Sequence, residues 1–211
     1  MEENRVKTER KSKVVPVTTH TLRTKWSSIY SANVVGFYGH SEKSAWRSFS
    51  NFYTHEPFSF ELPEWCGRKE LVAAGYSPKM QITFTEKGIM LCKAALMKDY
   101  ESYERIAKST APAACKSLGR KVYPWDEELW NNHVCSIAKA VVAQKARNVP
   151  EVARALQKSG KQLIAEATAR DKIWGIGINV TDDRLGCPNQ WQGSNILGWA
   201  LMEARKEINN D

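Results

Sequence analysis

The hydrophobic period of this chain changes at Thr85, and that change limits what it can fold into. Before it, apolar residues come in short runs rich in β-branched and aromatic side chains. Val34-Val35-Gly36-Phe37-Tyr38 and Gln81-Ile82-Thr83-Phe84-Thr85 read as strands. Phe49-Ser50-Asn51-Phe52-Tyr53 reads as a loop or a short strand, and residues 61–79, with Pro63, Gly67, Gly75 and Pro78, read as an irregular insertion. A chain built this way gives a small β element followed by a helical block.

From Thr85 the spacing is helical. Thr85 is placed to cap a helix that carries Glu86 in its first turn and runs to Asp99, with Ile89, Cys92, Leu96 and Met97 among its apolar positions. Helices follow over about 100–108 and 111–118, the latter opening at Pro112 and ending at Gly119. The longest spans about 126–147, with Trp130, Val134, Ile137 and Val141 spaced four, three and four apart. Pro150 opens another over 150–158, Leu163–Ala167 reads as a short strand, and Asn195 is placed to cap a last helix carrying Leu197, Leu201, Ala204 and Ile208. The expectation is a single α+β domain over residues 31–211, mostly helical, with no internal repeat.

The first thirty residues are polar and basic without a period, which predicts a flexible arm over 1–30. Within residues 1–25, Arg5, Lys7, Arg10, Lys11, Lys13, Arg23 and Lys25 outnumber Glu2, Glu3 and Glu9, so this stretch carries half of the chain's net charge of +8. A basic balance of this size favours polyanionic partners, nucleic acid or a phosphorylated ligand, although a solvated basic surface gives the same number. No apolar run reaches the roughly 20 residues that cross a bilayer, and the charged start Met1-Glu2-Glu3-Asn4-Arg5 lacks the apolar stretch of a secretory leader. The five cysteines form no CxxC pair and the four histidines no HxxxH pair, so the sequence predicts reduced thiols in an intracellular protein, cytoplasmic or nuclear, without a metal or other cofactor and without membrane association.

Four features carry chemical potential. Glu86 and Lys93 are seven apart on one predicted helix, hence on one face and roughly 10 Å apart along its axis. That spacing suits a pair bracketing a sugar, and equally a first-turn acid with a surface lysine. Lys145 continues the apolar stripe of the long helix, where a lysine must snorkel, pair or face a pocket. Glu166, Asp171 and Trp174 group acids with a large aromatic, and Gly175 and Gly177 let backbone approach a ligand. No Gly-x-Ser-x-Gly elbow, Walker loop or kinase signature is present.

These features fall in an order that resembles a known family. Phe49-Ser50-Asn51-Phe52 precedes Glu86 and Lys93; Leu118-Gly119-Arg120 and Lys145 follow; then come Asp171-x-x-Trp174-Gly175-x-Gly177 and Gly193-x-Asn195-x-Leu197-Gly198-x-x-Leu201-Met202-x-x-Arg205. The series resembles the NADAR, or YbiA-like, family over about residues 34–208. The chain departs from it at Thr85-Glu86-Lys87-Gly88, where the family opens Ser-Glu-His-Tyr, and at Ala146, where a phenylalanine is usual.

The resemblance implies a YbiA-like fold and hydrolysis of a bond between ribose C1 and a nitrogen. Relatives act on ADP-ribosylated guanine in nucleic acid or on phosphoribosylated intermediates of riboflavin synthesis. The expected substrate is therefore an ADP-ribose or phosphoribosyl compound, with nucleic acid as the expected partner. A riboflavin-pathway N-glycosidase and a non-catalytic module that binds ADP-ribose or nucleic acid are the alternatives. The resemblance assigns Glu86, Lys93 and Asp171 to catalysis: Glu86 or Asp171 stabilises the oxocarbenium ion and activates water, and Lys93 either binds phosphate or traps the opened ribose as an iminium. It assigns Asn51, Phe52, Arg120, Trp174, Gly175, Asn195 and Arg205 to substrate binding. Trp174 stacks, Asn51 and Asn195 hydrogen-bond the sugar or phosphate, and Arg120 and Arg205 anchor phosphate or brace the fold.

Overall fold

Four short strands and eight helices make up the protein in a computed structural model that describes residues 16–210. The strands are β1 (Val34–Phe37), β2 (Phe58–Glu61), β3 (Lys79–Ile82) and β4 (Leu163–Glu166). The helices are α1 (Thr19–Ser27), α2 (Lys69–Ala73), α3 (Thr85–Leu96), α4 (Tyr100–Lys108), α5 (Pro112–Gly119), α6 (Glu127–Asn148), α7 (Pro150–Lys158) and α8 (Ile196–Asn210). β1 pairs with β4 in parallel, from Val34 opposite Leu163 to Phe37 opposite Glu166, and β2 pairs antiparallel with β3. The class is α+β and mostly helical, as the change of period at Thr85 predicts.

The core lies where α3, α6 and α8 meet the two strand pairs. Its side chains include Phe37, Phe49, Phe60, Ile82, Ile89, Leu91, Ile137, Val141, Leu197 and Leu201. Eleven of the twelve residues of α3 are buried, so this helix runs through the interior rather than along the surface. Gly88 follows from that position: a Cβ there would lie 3.1 Å from Val141 Cγ1 and 3.3 Å from Phe60 Cε2. The departure from Ser-Glu-His-Tyr at this helix start is thus a packing solution, because α6 and β2 crowd the place where the third side chain after Thr85 would stand.

Three expectations are corrected. Residues 1–15 lie outside the described residues, but the rest of the predicted arm is not loose. α1 is capped by Thr18, whose Oγ1 accepts from Thr21 N at 3.3 Å, and it buries Leu22 and Trp26. Trp26 Nε1 donates to the Ser194 carbonyl at 2.8 Å, and Arg23 Nε donates to Ser194 Oγ at 3.0 Å. Two apolar residues one turn apart hold this helix, too few to show as a period among polar neighbours. Residues 61–79 are also more ordered than an insertion: Glu64–Arg68 form a wide π turn and Lys69–Ala73 the short helix α2, anchored by buried Leu71. Thr85 is the first residue of α3 rather than its cap; the cap position falls on Phe84, whose backbone is extended.

Among the described residues no helix is long and apolar enough to cross a membrane. The cysteines are free thiols, four of them buried.

Candidate active site

The start of α3 is held by a loop from a distant part of the chain. The backbone N–H of Glu86 donates to the Asn51 carbonyl at 3.0 Å, and the Thr85 hydroxyl donates to Asn51 Oδ1 at 3.1 Å. Asn51 therefore does from outside what a capping side chain does from within. The loop is itself pinned by Lys145. Its side chain is fully buried, and Nζ donates to the Ser50 carbonyl at 2.8 Å while standing 5.7 Å from the Tyr53 ring centre. Burial pushes the Lys145 amine down to about 7, with Glu151 partly opposing the shift. The apolar stripe of α6 thus ends in a lysine that neither snorkels nor faces a cavity; it clamps the loop that caps α3.

A second loop, between β4 and α8, is tied just as closely. Asp171 Oδ1 accepts from the N–H groups of Ile173 and Trp174 at 2.9 and 2.8 Å, which turns the chain. The carbonyls of Lys172, Ile173, Trp174 and Gly175 then accept from the N–H groups of Ser194, Ile196, Leu197 and Asn195. The loop so satisfies the free donors at the start of α8. Glu166, the last residue of β4, is held by its own N–H donating to Asn195 Oδ1 at 3.2 Å.

These two loops face each other across a cavity of about 290 Å³ lined by Glu86, Lys93, Lys116, Arg120, Glu166 and Asp171, with Asn51, Phe52, Trp130 and Trp174 among its walls. Three acids and three cations converge on one space. Burial raises the Glu86 carboxyl to about 7; Lys116 and Arg120 oppose the rise and Asp171 adds to it. Burial likewise raises Glu166 to about 7, where Asp171 and Glu86 add to the rise and Lys116 opposes it. Lys93 is lowered by burial and by Arg120, and its Nζ lies 4.3 Å from the Trp125 ring centre and 5.4 Å from that of Trp130. Lys116 Nζ lies 5.5 Å from the Phe52 ring centre. A cavity with carboxyl groups poised near neutrality, a fixed aspartate, aromatic lining residues and three cations has what acid–base cleavage of a glycosyl bond needs.

Of the residues predicted for the site, Glu86, Lys93, Asp171, Asn51, Phe52, Arg120 and Trp174 line this cavity. Gly175, Asn195 and Arg205 do not. Gly175 is needed for close packing: a Cβ there would lie 2.7 Å from the Glu166 carbonyl oxygen. Asn195 is fully buried with φ +53°, and its side chain joins α8 to β4 by accepting from Glu166 N and donating to the Ile164 carbonyl at 2.9 Å. With both of these bonds going to β4, it does not cap α8 through its side chain. Arg205 donates to Ser159 Oγ at 2.7 Å and braces α8 against the end of α7.

Two charged groups were missing from the predicted site. Lys116 sits one turn before Arg120 at the end of α5, and that i, i+4 pair of cations was the available signal. Glu166 grouped with Asp171 and Trp174 in the sequence, but nothing in a four-residue strand marks its last side chain as the one facing a cavity.

Comparison with known proteins identifies the family and the fold. The NADAR domain model matches residues 36–209. An N-glycosidase of Acanthamoeba polyphaga mimivirus is 32% identical over 122 residues, which is 58% of this chain and 72% of that protein. Protein irg-1 of Caenorhabditis elegans is 32% identical over 131 residues, 61% of this chain and 62% of its own length. An N-glycosidase of Nostoc punctiforme is 27% identical over 113 residues, 54% of this chain and 65% of its own length. The NMR structure of the E. coli protein YbiA superposes with a TM-score of 0.59 at 18% identity, covering 86% of this chain and 88% of that one, which shows a common fold. The chain belongs to the NADAR domain family.

Proposed function

We propose that this N-glycosidase, a hydrolase of N-glycosyl bonds, removes ADP-ribose from guanine in nucleic acid. The observation that carries the reading is the convergence of Glu86, Glu166 and Asp171 on one cavity that Lys93, Lys116 and Arg120 also line. Cleaving a C1–N bond builds positive charge on the ribose and leaves an electron pair on the base nitrogen. The site must stabilise the first and protonate the second.

The charges around the two glutamates divide these tasks. Glu86 faces two cations, Lys116 and Arg120, against one carboxylate, whereas Glu166 faces one cation against two carboxylates. On this difference Glu166 is assigned the acid, giving its proton to the departing base nitrogen. Glu86, ionised, stabilises the oxocarbenium ion and takes a proton from the water that adds to C1. Asp171 holds Trp174 in place through its two backbone hydrogen bonds and adds negative charge beside the ring. Trp174 offers its face to the base or sugar. Arg120 and Lys116 offer cations to phosphate, as does Lys93 from its place beside two indoles.

Incubation with an oligonucleotide carrying ADP-ribosylated guanine should release free ADP-ribose. A substrate left intact, while a phosphoribosylated riboflavin precursor is cleaved, would move the assignment to that substrate. Tight ADP-ribose binding with no hydrolysis of either would make the protein a binding module. Borohydride added during turnover reports on Lys93: a trapped adduct lost in Lys93→Arg places an iminium on that amine, and no adduct leaves it the phosphate role.

A further inference from the structure

Three exposed aromatic side chains, Trp65, Tyr123 and Trp125, are linked to the cavity-lining helix α6 by ring contact or by sequence. Trp130 lines the cavity, and its ring centre lies 5.8 Å from that of Trp125, which is 44% exposed. Two residues before Trp125, Tyr123 is 79% exposed. One turn after Trp130 on α6, His133 stacks with Trp65 at 5.9 Å and an interplanar angle of 27°, and Trp65 is 46% exposed. Two exposed rings thus each contact a ring of α6, Trp125 that of Trp130 and Trp65 that of His133, and exposed Tyr123 stands two residues before Trp125. Large apolar groups left in water beside a cleft mark a surface that another molecule covers.

Charge selects the occupant. Arg120 and Lys121 are exposed beside Tyr123, and Arg120, Lys116 and Lys93 continue the positive charge into the cavity. Separate planar rings interleaved with cations suit a strand of bases joined by phosphates, since every base offers a face to stack and every link a negative charge. Glu127 and Glu128 in the first turn of α6 keep the cationic strip short. Stacking therefore carries more of the contact than phosphate neutralisation does.

We propose that this aromatic track, from Trp130 through Trp125 to Tyr123 and along α6 to Trp65, seats single-stranded nucleic acid, with bases on the rings and phosphates at Arg120 and Lys121. The proposal extends the reading of the cavity as a site that cleaves a nucleic-acid substrate: the target nucleotide enters the cavity and its neighbours lie on the track.

The test uses the full chain and an unmodified, fluorescein-labelled twelve-residue oligo-dT, followed by anisotropy and by quenching of tryptophan fluorescence. Wild-type protein should bind with quenching at concentrations below about 100 μM, within the ordinary range of sequence-independent binding. Trp65→Ala and Tyr123→Ala should each weaken binding at least fivefold, and the pair at least twentyfold. Arg120→Ala with Lys121→Ala should reduce the slope of log K against log salt by about 1.4, or 0.7 for each phosphate contact in a single strand. Absence of wild-type binding, or binding that is unaltered in the Trp65/Tyr123 double variant, overturns the proposal. So does light scattering showing that the protein is a dimer that oligo-dT does not open and whose contact is lost with these two rings. Hydrolysis of ADP-ribosylated guanosine as a free nucleoside, measured in parallel, separates the two readings. Cleavage of the nucleoside without oligo-dT binding removes the track and keeps the cavity's function. Oligo-dT binding without cleavage of any ADP-ribosylated guanine supports the track and removes that function.

Discussion

Glu86, in the first turn of α3, and Glu166, the last residue of β4, line one cavity, and burial raises the carboxyl of each to about 7. These two groups are eighty positions apart in the chain, and each is held by a loop that belongs to neither element: Asn51 fixes the backbone of Glu86, and Asn195 that of Glu166. Placing two like-charged acids in one desolvated space keeps a proton on the pair near neutral pH. Lys116 and Arg120 oppose the rise at Glu86 and Lys116 alone opposes it at Glu166, and the proposal that Glu166 carries the proton rests on that difference.

The first prediction is a bell-shaped pH dependence of kcat/KM with both limbs near neutrality. Both carboxyls lie at about 7, so both titrate around that value. Activity falls on the acid side as Glu86 takes up a proton and loses the charge that stabilises the ribose cation. It falls on the alkaline side as Glu166 loses the proton destined for the base. Glu166→Gln should lower kcat by about a hundredfold or more, the usual contribution of a placed general acid, and should remove the alkaline limb. A variant that keeps both limbs shows that Glu166 is not the proton donor.

Glu86→Gln and Lys93→Ala should each reduce turnover of ADP-ribosylated guanosine at least tenfold, or about 1.4 kcal/mol of barrier. Neither should unfold the protein. The Glu86 change leaves the backbone hydrogen bond to Asn51 in place, and Lys93 is only half-buried at the cavity edge. Steady-state kinetics together with circular dichroism check both halves of this expectation; wild-type rates in both variants would remove the assignment of α3 to the active site.

Asn195 separates a binding role from a bracing one. Its side chain pairs with Glu166 N and the Ile164 carbonyl inside the protein, and its φ of +53° suits asparagine better than alanine. Asn195→Ala leaves two buried β4 groups unpaired and should cost about 2 to 4 kcal/mol in urea denaturation. A sugar ligand would behave in the opposite way, with stability retained and only KM raised.

How far the sequence discloses this molecule depends on what kind of force fixes each part. α6 and α8 are legible because their apolar residues repeat with the helical period over several turns. α1 is not, since its attachment rests on Leu22, Trp26 and two hydrogen bonds to Ser194, a residue 168 positions from Trp26. Glu86, Lys93, Asp171 and Trp174 stand out through family resemblance and fall where expected, at the cavity. The same resemblance draws in Gly175, Asn195 and Arg205, which do not line the cavity: Asn195 pairs with β4 and Arg205 with Ser159. A recurring motif does not distinguish a residue that touches the ligand from one that holds the residue that does. Glu166 makes the complementary point: whether a side chain at the end of a short strand faces a cavity is decided by α8 and the Asp171 loop, not by its neighbours in sequence.

Lys145 yields a prediction about stability and pH. Its folded-state pKa is pushed down to about 7, whereas in the unfolded chain the amine titrates near its ordinary value of 10.5. Between these two values the unfolded state binds more protons than the folded one, so this residue's contribution to stability rises with pH over that window and is flat below it. Lys145→Met, of similar length and without the amine, removes the dependence. The unfolding free energy of the wild type relative to Lys145→Met should therefore increase from pH 7 to pH 9 by about 1 to 3 kcal/mol, the upper end following from roughly 1.4 kcal/mol per unit for one proton. Urea denaturation of both proteins at the two pH values measures it. A difference that stays constant or shrinks shows that Lys145 remains charged in the folded protein. In that case the Ser50 carbonyl, the Tyr53 ring and Glu151 stabilise the ammonium enough to offset its burial.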